Sequence, residues 1–510
     1  MVRAPRSTGR TRVQILSEIS RTFGEYLLVP NLTTANCTPE AVDLSAPLTR
    51  HPVGESAQIR IAIPMVSAVM EAVSSPRLAI AIAQAGGLSF VHQNQPIAQQ
   101  AEMVAAVKRN KAGFRHSEIN IRPTATLAEV AALLEQAERD IAVVTDDGSP
   151  TGRFLGLISL RDFHPQRHDL NAGVETRMRA KADLVVAPPT ISLSEANTLL
   201  WDQRLDVLPV VDNQGRLASV VLRRDYELHK RFRNESVDDD KRFRVGAGVN
   251  TRDYRDRIPA LVEAGADILC LDSSDGYSVY QSDVLDWVRS TYGQNVRIGA
   301  GNVVDGRGFR YLADAGADFV KIGIGGGSIC ITRDAKGIGR GQASAVLDVV
   351  RERDRYAGET GEYVPLCSDG GILQDSHMAI ALAFGADFLM LGRYFARFEE
   401  SPSALVRVDD QFFKEYWGEG SARARNAARY GQASGLLFEE GVDGYVPYAG
   451  RLDENVSVTL AKIKATMVSC GSITLRQFHD SATLVEVSHQ SFLQNSQDIR
   501  LRERPSGGRT

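Results

Sequence analysis

The chain has 510 residues, 43% hydrophobic and 24% charged, which is ordinary globular material and enough for more than one domain. A formal charge of −4 argues against a general nucleic-acid surface. No run of 18 apolar residues occurs, so no membrane-spanning helix is expected, and the basic opening MVRAPRSTGRTR lacks the apolar core of a secretory signal. The five cysteines, Cys37, Cys270, Cys330, Cys367 and Cys470, are scattered without zinc spacing, a pattern that fits a reduced cytoplasm.

In chain order, eight apolar runs read as strands: Ile59–Ser67, Gly87–Val91, Phe243–Val249, Asp267–Asp272, Val296–Asn302, Asp318–Gly323, Tyr363–Asp369 and Asp387–Gly392. Helical periodicity lies between them, as in Arg77–Gln84, Ala98–Arg109, Arg257–Glu263 and Met378–Ala383. Continuous apolar strands alternating with helices mean a parallel sheet covered on both faces, and eight such units predict an α/β fold, a closed (β/α)8 TIM barrel. An internal echo supports this. Ala264-Gly-Ala-Asp267, Ala315-Gly-Ala-Asp318 and Phe384-Gly-Ala-Asp387 each end a helix at a glycine and start a strand. Asp272, Asn302, the glycines after Gly323, Asp369 and Gly392 all fall at strand C-termini, the face on which barrel active sites are built.

An interruption from about residue 115 to 238 separates the second and third strands. Its two halves echo each other: Leu127-Ala-Glu129, Ile141–Asp146 and Gly156–Phe163 in the first, Leu193-Ser-Glu195, Leu208–Asp212 and Ser219–Tyr226 in the second. Such a tandem reads as a packed pair of modules, 115–175 and 176–238, inside a barrel made of 1–114 and 239–510. The pair resembles cystathionine-β-synthase-type (CBS, or Bateman) modules, which often bind adenine or guanine nucleotides; a structural insert without a ligand fits the residues as well. After the eighth strand a polar, Gly- and Arg-rich stretch of about 411–450 is too long for a simple connection and reads as a mobile flap.

The sharpest stretch is Lys321-Ile-Gly-Ile-Gly-Gly-Gly-Ser-Ile-Cys-Ile-Thr-Arg333. Its glycines permit close backbone approach to a ligand, and successive N–H groups in such a turn can cradle an anion. Cys330 sits where reactive cysteines are often found, and a thiolate is a strong nucleophile. Taken alone, a Gly-rich turn with an incidental cysteine fits equally well.

Taken together, the motifs Gly325–Arg333, Asp272-Ser-Ser-Asp-Gly276, Gly299-Ala-Gly-Asn302, Ser368-Asp-Gly-Gly371, Gly392-Arg393, Tyr416-Trp-Gly-Glu-Gly420 and Arg429-Tyr430 resemble inosine-5′-monophosphate (IMP) dehydrogenases over nearly the whole chain. The resemblance implies NAD-dependent oxidation of IMP to xanthosine 5′-monophosphate, the committed step of guanine nucleotide synthesis, in a cytoplasmic homotetramer. It implies that Cys330 is the nucleophile, aided by Thr332, and that Arg429 and Tyr430 act in hydrolysis. Ser328, Asp369, Gly370, Gly371, Gly392, Arg393, Tyr416, Trp417, Gly418, Glu419, Gly420 and Glu440 resemble the substrate contacts. Asp272, Ser273, Ser274, Asn302, Gly323, Ile324 and Gly325 resemble the dinucleotide contacts. The carbonyls of Gly325, Gly327 and Cys330 resemble a potassium site, which the family usually completes with a C-terminal Glu-Gly-Gly that Val487–Gln497 lacks. GMP reductase shares the barrel and cysteine loop but typically lacks the inserted pair and the Arg-Tyr flap. A nucleotide-sensing scaffold with an inactive barrel is the alternative from another class.

Overall fold

The computed structural model describes residues 13, 15–111, 113–114, 117, 119–137, 139–164, 166–223, 234–425, 438–488 and 491. Eight parallel strands form one sheet: β1 (Met65–Ser67), β2 (Phe90–Val91), β3 (Gly246–Val249), β4 (Ile268–Leu271), β5 (Ile298–Val303), β6 (Val320–Ile322), β7 (Leu366–Asp369) and β8 (Phe388–Leu391). Each pairs with its sequence neighbour from β2 to β8. β8 also pairs with β1, and a bridge between Val66 and Leu88 closes the ring. Helices lie between the strands, among them Pro76–Ala85, Ile97–Lys108, Tyr254–Glu263 and Asp375–Ala383 at the expected places.

Two of the expected strands are divided within their apolar runs. Ile59–Ser67 divides into Arg60–Ile61, which pairs with Ala46–Pro47, and β1. Tyr363–Asp369 divides likewise: Tyr363 pairs with His51, and β7 begins at Leu366. A proline marks each break, because Pro64 and Pro365 have no N–H to give the ladder; both contribute only carbonyls, to Leu389 and Val320.

Glycines inside the strands make room for the barrel's aromatic filling. A Cβ on Gly246 would lie 2.4 Å from the Phe90 ring, and one on Gly299 would lie 2.1 Å from Phe319. Phe319 in turn packs edge-on against Phe388, with centroids 5.4 Å apart.

The Gly-Ala-Asp echo has a structural meaning beyond the turn. Gly265, Gly316 and Gly385 take φ of +92°, +97° and +107°. The aspartate after each one clasps the preceding strand by its own N–H and its carboxylate. Asp267 bonds Val245 in this way, Asp318 bonds Ile298, and Asp387 bonds Leu366. Each carboxylate also meets a largely buried cation, namely Lys108 at 2.9 Å, Arg289 at 2.7 Å and Arg353 at 3.4 Å. The clasps join β3 to β4, β5 to β6 and β7 to β8, all at the strands' N-terminal ends.

Between β2 and β3 the chain leaves at Asn110, whose carbonyl accepts from Phe243 N–H on the return, and Lys111 bridges Arg242. The excursion holds a four-stranded sheet, ordered Arg179–Ala180, Phe154–Ser159, Ile141–Thr145, Asn120–Ile121, and a hairpin of Val207–Val211 and Leu217–Leu222. Its echoing helices, Leu127–Gln136 and Leu193–Asp202, start with the same capping box, Thr126 with Glu129 and Ser192 with Glu195. Val143, Phe154 and Leu157 pack on Val211, Leu217 and Val220 across the two halves.

Candidate active site

The C-terminal ends of the barrel strands carry the polar residues. β4 runs into Asp272, β5 includes Asn302, β6 carries Lys321, β7 ends at Asp369 and β8 leads to Gly392. The loop after β6 is pinned from three sides. Cys330 N–H donates to Gly327 O at 3.1 Å, and Gly371 N–H donates to Gly326 O at 2.9 Å. The far end of the 411–450 stretch folds back on the same loop: Ile331 N–H donates to Glu440 O at 3.1 Å, Val442 N–H to Ile329 O at 2.9 Å, and Cys330 bridges Gly441. Of that stretch, Gln411–Trp417 and Asp443–Pro447 are strands of an antiparallel sheet with Leu405–Val408.

A polar chain leads away from the thiol. Cys330 Sγ lies 3.1 Å from Thr332 Oγ1, which donates to Glu440 Oε2 at 3.4 Å, and Lys336 Nζ stands 3.5 Å from the same carboxylate. The other barrel cysteines are chemically quiet. Cys270 and Cys367 are fully buried, and that burial pushes both thiols up. Cys470 is buried as well, whereas Cys37 lies on a surface loop beside Thr34.

A second group of charges sits beneath the loop. Lys321 is 2% exposed and donates to Asp272 Oδ1 at 2.8 Å and to Asp369 Oδ2 at 2.7 Å. Asn302 Nδ2 donates to the same Asp369 oxygen at 3.0 Å. Asp272 and Asp369 are therefore not helix caps, the ordinary use of an aspartate after a strand.

One cavity, of about 220 Å³, gathers nearly all the residues singled out in the sequence. Cys330 and Thr332 line it, with Ser328, Asp369, Gly370, Gly371, Gly392, Arg393, Tyr416, Gly418, Glu419, Gly420 and Glu440. Asp272, Ser273, Ser274, Asn302, Gly323, Ile324, Gly325 and Gly327 line it too. Trp417 is set apart: strand alternation turns it from the side of Tyr416, and it packs under Arg423, 3.9 Å from the ring centroid. Arg429 and Tyr430 lie outside the described residues, as does most of Val487–Gln497. The sequence reading passed over Lys321, Met70 and Tyr394, which also line the cavity. The available signal for Lys321 was a lone charge inside the apolar run Asp318–Gly323.

Known proteins match this chain over nearly its whole length. The family model for the IMP dehydrogenase / GMP reductase domain matches residues 20–497. The chain belongs to the IMP dehydrogenase / GMP reductase family. It is 52% identical to the inosine-5′-monophosphate dehydrogenase of Tritrichomonas foetus over 491 residues, 96% of this chain and 98% of that one. It is 35% identical to the Escherichia coli enzyme of the same name, over 92% and 93% of the two chains. Among solved structures, a GMP reductase variant from Trypanosoma brucei in complex with guanosine 5′-monophosphate matches with a TM-score of 0.77 and 27% identity, covering 95% of this chain and 98% of that one.

That last coverage corrects one expectation. A match over 95% of this chain must take in much of the excursion between β2 and β3. The inserted region therefore does not separate dehydrogenases from reductases in this family.

Proposed function

We propose that the chain is an NAD-dependent IMP dehydrogenase, and that Cys330 forms the covalent link to the substrate. The observation that carries this reading is the cavity that Cys330, on the glycine loop, lines together with the carboxylates Asp369 and Asp272. Full-length identity of 52% to a named IMP dehydrogenase, against 27% to a GMP reductase, favours the oxidative direction.

Cys330, as thiolate, adds to C2 of the hypoxanthine ring, and the ring takes up the electron pair. NAD supplies the hydride acceptor when it is bound. Loss of hydride from C2 leaves a thioimidate on Cys330. Water then attacks C2, the thiolate leaves, and xanthosine 5′-monophosphate is released. Ser328, Gly370, Gly371, Gly392, Arg393 and Tyr416 would hold the phosphate, largely through N–H and hydroxyl donors suited to an anion. Asp369 would accept from the ribose hydroxyls, and Gly418, Glu419, Gly420 and Glu440 would meet the base. The hydrolytic step falls to Arg429 and Tyr430 on the flap, with the Thr332 hydroxyl beside the sulfur. Because arginine is ordinarily always protonated, that role requires an environment that favours its neutral form.

The residues present fit the nicotinamide–ribose end of NAD. Asp272 offers a carboxylate to vicinal hydroxyls, Ser273 and Ser274 offer hydroxyls, and Gly323, Ile324 and Gly325 line the wall that continues to Cys330. The carbonyls of Gly325, Gly327 and Cys330 have the chemistry for a monovalent cation such as potassium, although the Gly327 oxygen already accepts from Cys330 N–H. The active unit we propose is a homotetramer.

In the inserted pair, a cleft of about 530 Å³ is lined by Arg139, Asp162, Arg179, Trp201 and Arg223 among others, and Arg223 stacks 4.2 Å over Trp201. These charges and this ring suit an adenine or guanine nucleotide.

The test is optical. Purified protein with IMP and NAD+ should form NADH, seen by absorbance, and should not consume reduced dinucleotide in the presence of GMP. The reverse result makes it a reductase. Activity in neither direction, in folded protein, leaves the sensing scaffold.

A further inference from the structure

Lys321 stands between the two halves of the cavity, and the reaction as proposed leaves it without a role. It lies at the centre of β6. Its ammonium has one carboxylate on each side: Asp272 at 2.8 Å, on the wall assigned to the dinucleotide, and Asp369 at 2.7 Å, on the wall assigned to the substrate ribose. The side chain is 2% exposed, and the two carboxylates are 15% and 23% exposed.

A buried ammonium is stable only where carboxylates offset its lost hydration. Here burial opposes the charge, and the field of Asp272 and Asp369 overrides it, so Lys321 is held protonated well beyond its ordinary range. The dependence also runs the other way. Without a cation, the two partly buried carboxylates would repel each other across the space the ammonium now fills, with nothing to hold them in register. Gln93 Nε2 approaches Asp272 Oδ2 at 3.5 Å, while Lys321 and Asn302 both converge on Asp369 Oδ2.

We propose that Lys321 is a positioning residue common to both ligand sites: it holds the substrate-facing Asp369 and the dinucleotide-facing Asp272 on one ammonium and fixes the angle between them. One side chain therefore sets the affinity for the nucleotide monophosphate and for the dinucleotide together. This rests on the assignment of the cavity to IMP and NAD+.

Steady-state kinetics of the full chain test it. Lys321→Met should raise KM for IMP and KM for NAD+ by tenfold or more each. Neutralising one carboxylate, in Lys321→Met with Asp272→Asn, should restore KM for IMP towards the wild-type value while KM for NAD+ stays high. A structural role alone would not give the selective rescue. If Lys321→Met does not fold, Lys321→Arg serves: it keeps the charge, moves the donors, and should raise both KM values together. A change confined to one ligand, or no change in a folded variant, overturns the proposal. A wild-type protein that turns over neither IMP nor GMP overturns the functional reading first, and this proposal with it.

Discussion

At the scale of single residues, access separates the cysteines. Cys270, Cys367 and Cys470 are buried, while Cys330 opens on the cavity and Cys37 on the surface. The Thr34 hydrogen bonds lower the Cys37 thiol, so Cys37 should also react. Iodoacetamide followed by peptide mass spectrometry should label Cys330 and Cys37, and IMP should protect Cys330 alone. Labelling of Cys330 that IMP does not slow would remove it from the substrate site. Arg429 lies beyond the described residues, but its proposed role is separable in time. Arg429→Ala should keep a near-normal burst of NADH while steady-state turnover falls on the order of 10²-fold, the scale for losing an acid–base group. Intact-mass measurement should then find the Cys330 adduct accumulating; loss of the burst would place Arg429 in the first step. A buried histidine supplies a pH signature. Burial, then the charge of Arg257, pushes His92 down to about 4. The folded state therefore holds it neutral while the unfolded chain binds a proton near pH 6.5. Its contribution, about 3 kcal/mol by linkage, is complete above pH 6.5 and is lost as pH falls towards 4. Denaturant unfolding of His92→Gln should decline less steeply across that window; an identical slope would show that His92 does not titrate with folding.

At the scale of elements, each Gly-Ala-Asp clasp ties a helix end to the strand before it. Asp318 is fully buried, and its removal would leave the Ile298 N–H and Arg289 without their partner. Asp318→Ala should cost about 3–5 kcal/mol, the range for breaking a buried pair from one side. Thermal unfolding measures that loss, while KM for IMP should stay within about twofold, because the clasps lie at the end of the barrel away from the cavity. A large change in KM with little loss of stability would contradict this division. The echo was legible in the sequence because a helix stop, a left-handed glycine and a polar strand start all compress into four residues. What it does was not legible, since the partners Val245, Ile298 and Leu366 lie about 20 residues earlier in the chain. The same limit hid the pairing of Lys321 with Asp272 and Asp369. Periodicity finds the strands, and prolines trim them, but which side chains meet across a barrel depends on closure. Trp417 shows the converse: a motif places it beside Tyr416, and the two-residue period of the strand turns it away.

At the scale of the whole molecule, the excursion between β2 and β3 begins and ends on paired backbone, at Asn110 and Phe243. The residues just before the return belong with the barrel. Ser236 N–H donates to Ala83 O, and Asp238 pairs with Lys108 at 2.8 Å. We therefore expect the separable part to end nearer residue 233 than 238. Excision of 115–233 with a short flexible linker should leave a folded chain that still forms NADH, whereas excision of 115–238 should melt lower because Lys108, 7% exposed, loses one carboxylate. Turnover below a few per cent in a folded 115–233 deletion would show that the barrel depends on the insert.

The three clasps also divide the ring into pairs of strands, and that division says where the chain tolerates new sequence. The natural excursion lies between β2 and β3, a junction that no clasp spans, and the exposed turn at Gly293–Asn295 lies at another such junction, between β4 and β5. Foreign peptide threaded through that turn leaves the strand-to-strand bonds of every stapled pair in place and loosens only the Gly293 and Val296 carbonyls from Arg289, whereas the same peptide placed between Ala264 and Asp267 pulls a staple apart. The barrel is thus a ring with seams, and growth of the chain by insertion follows them.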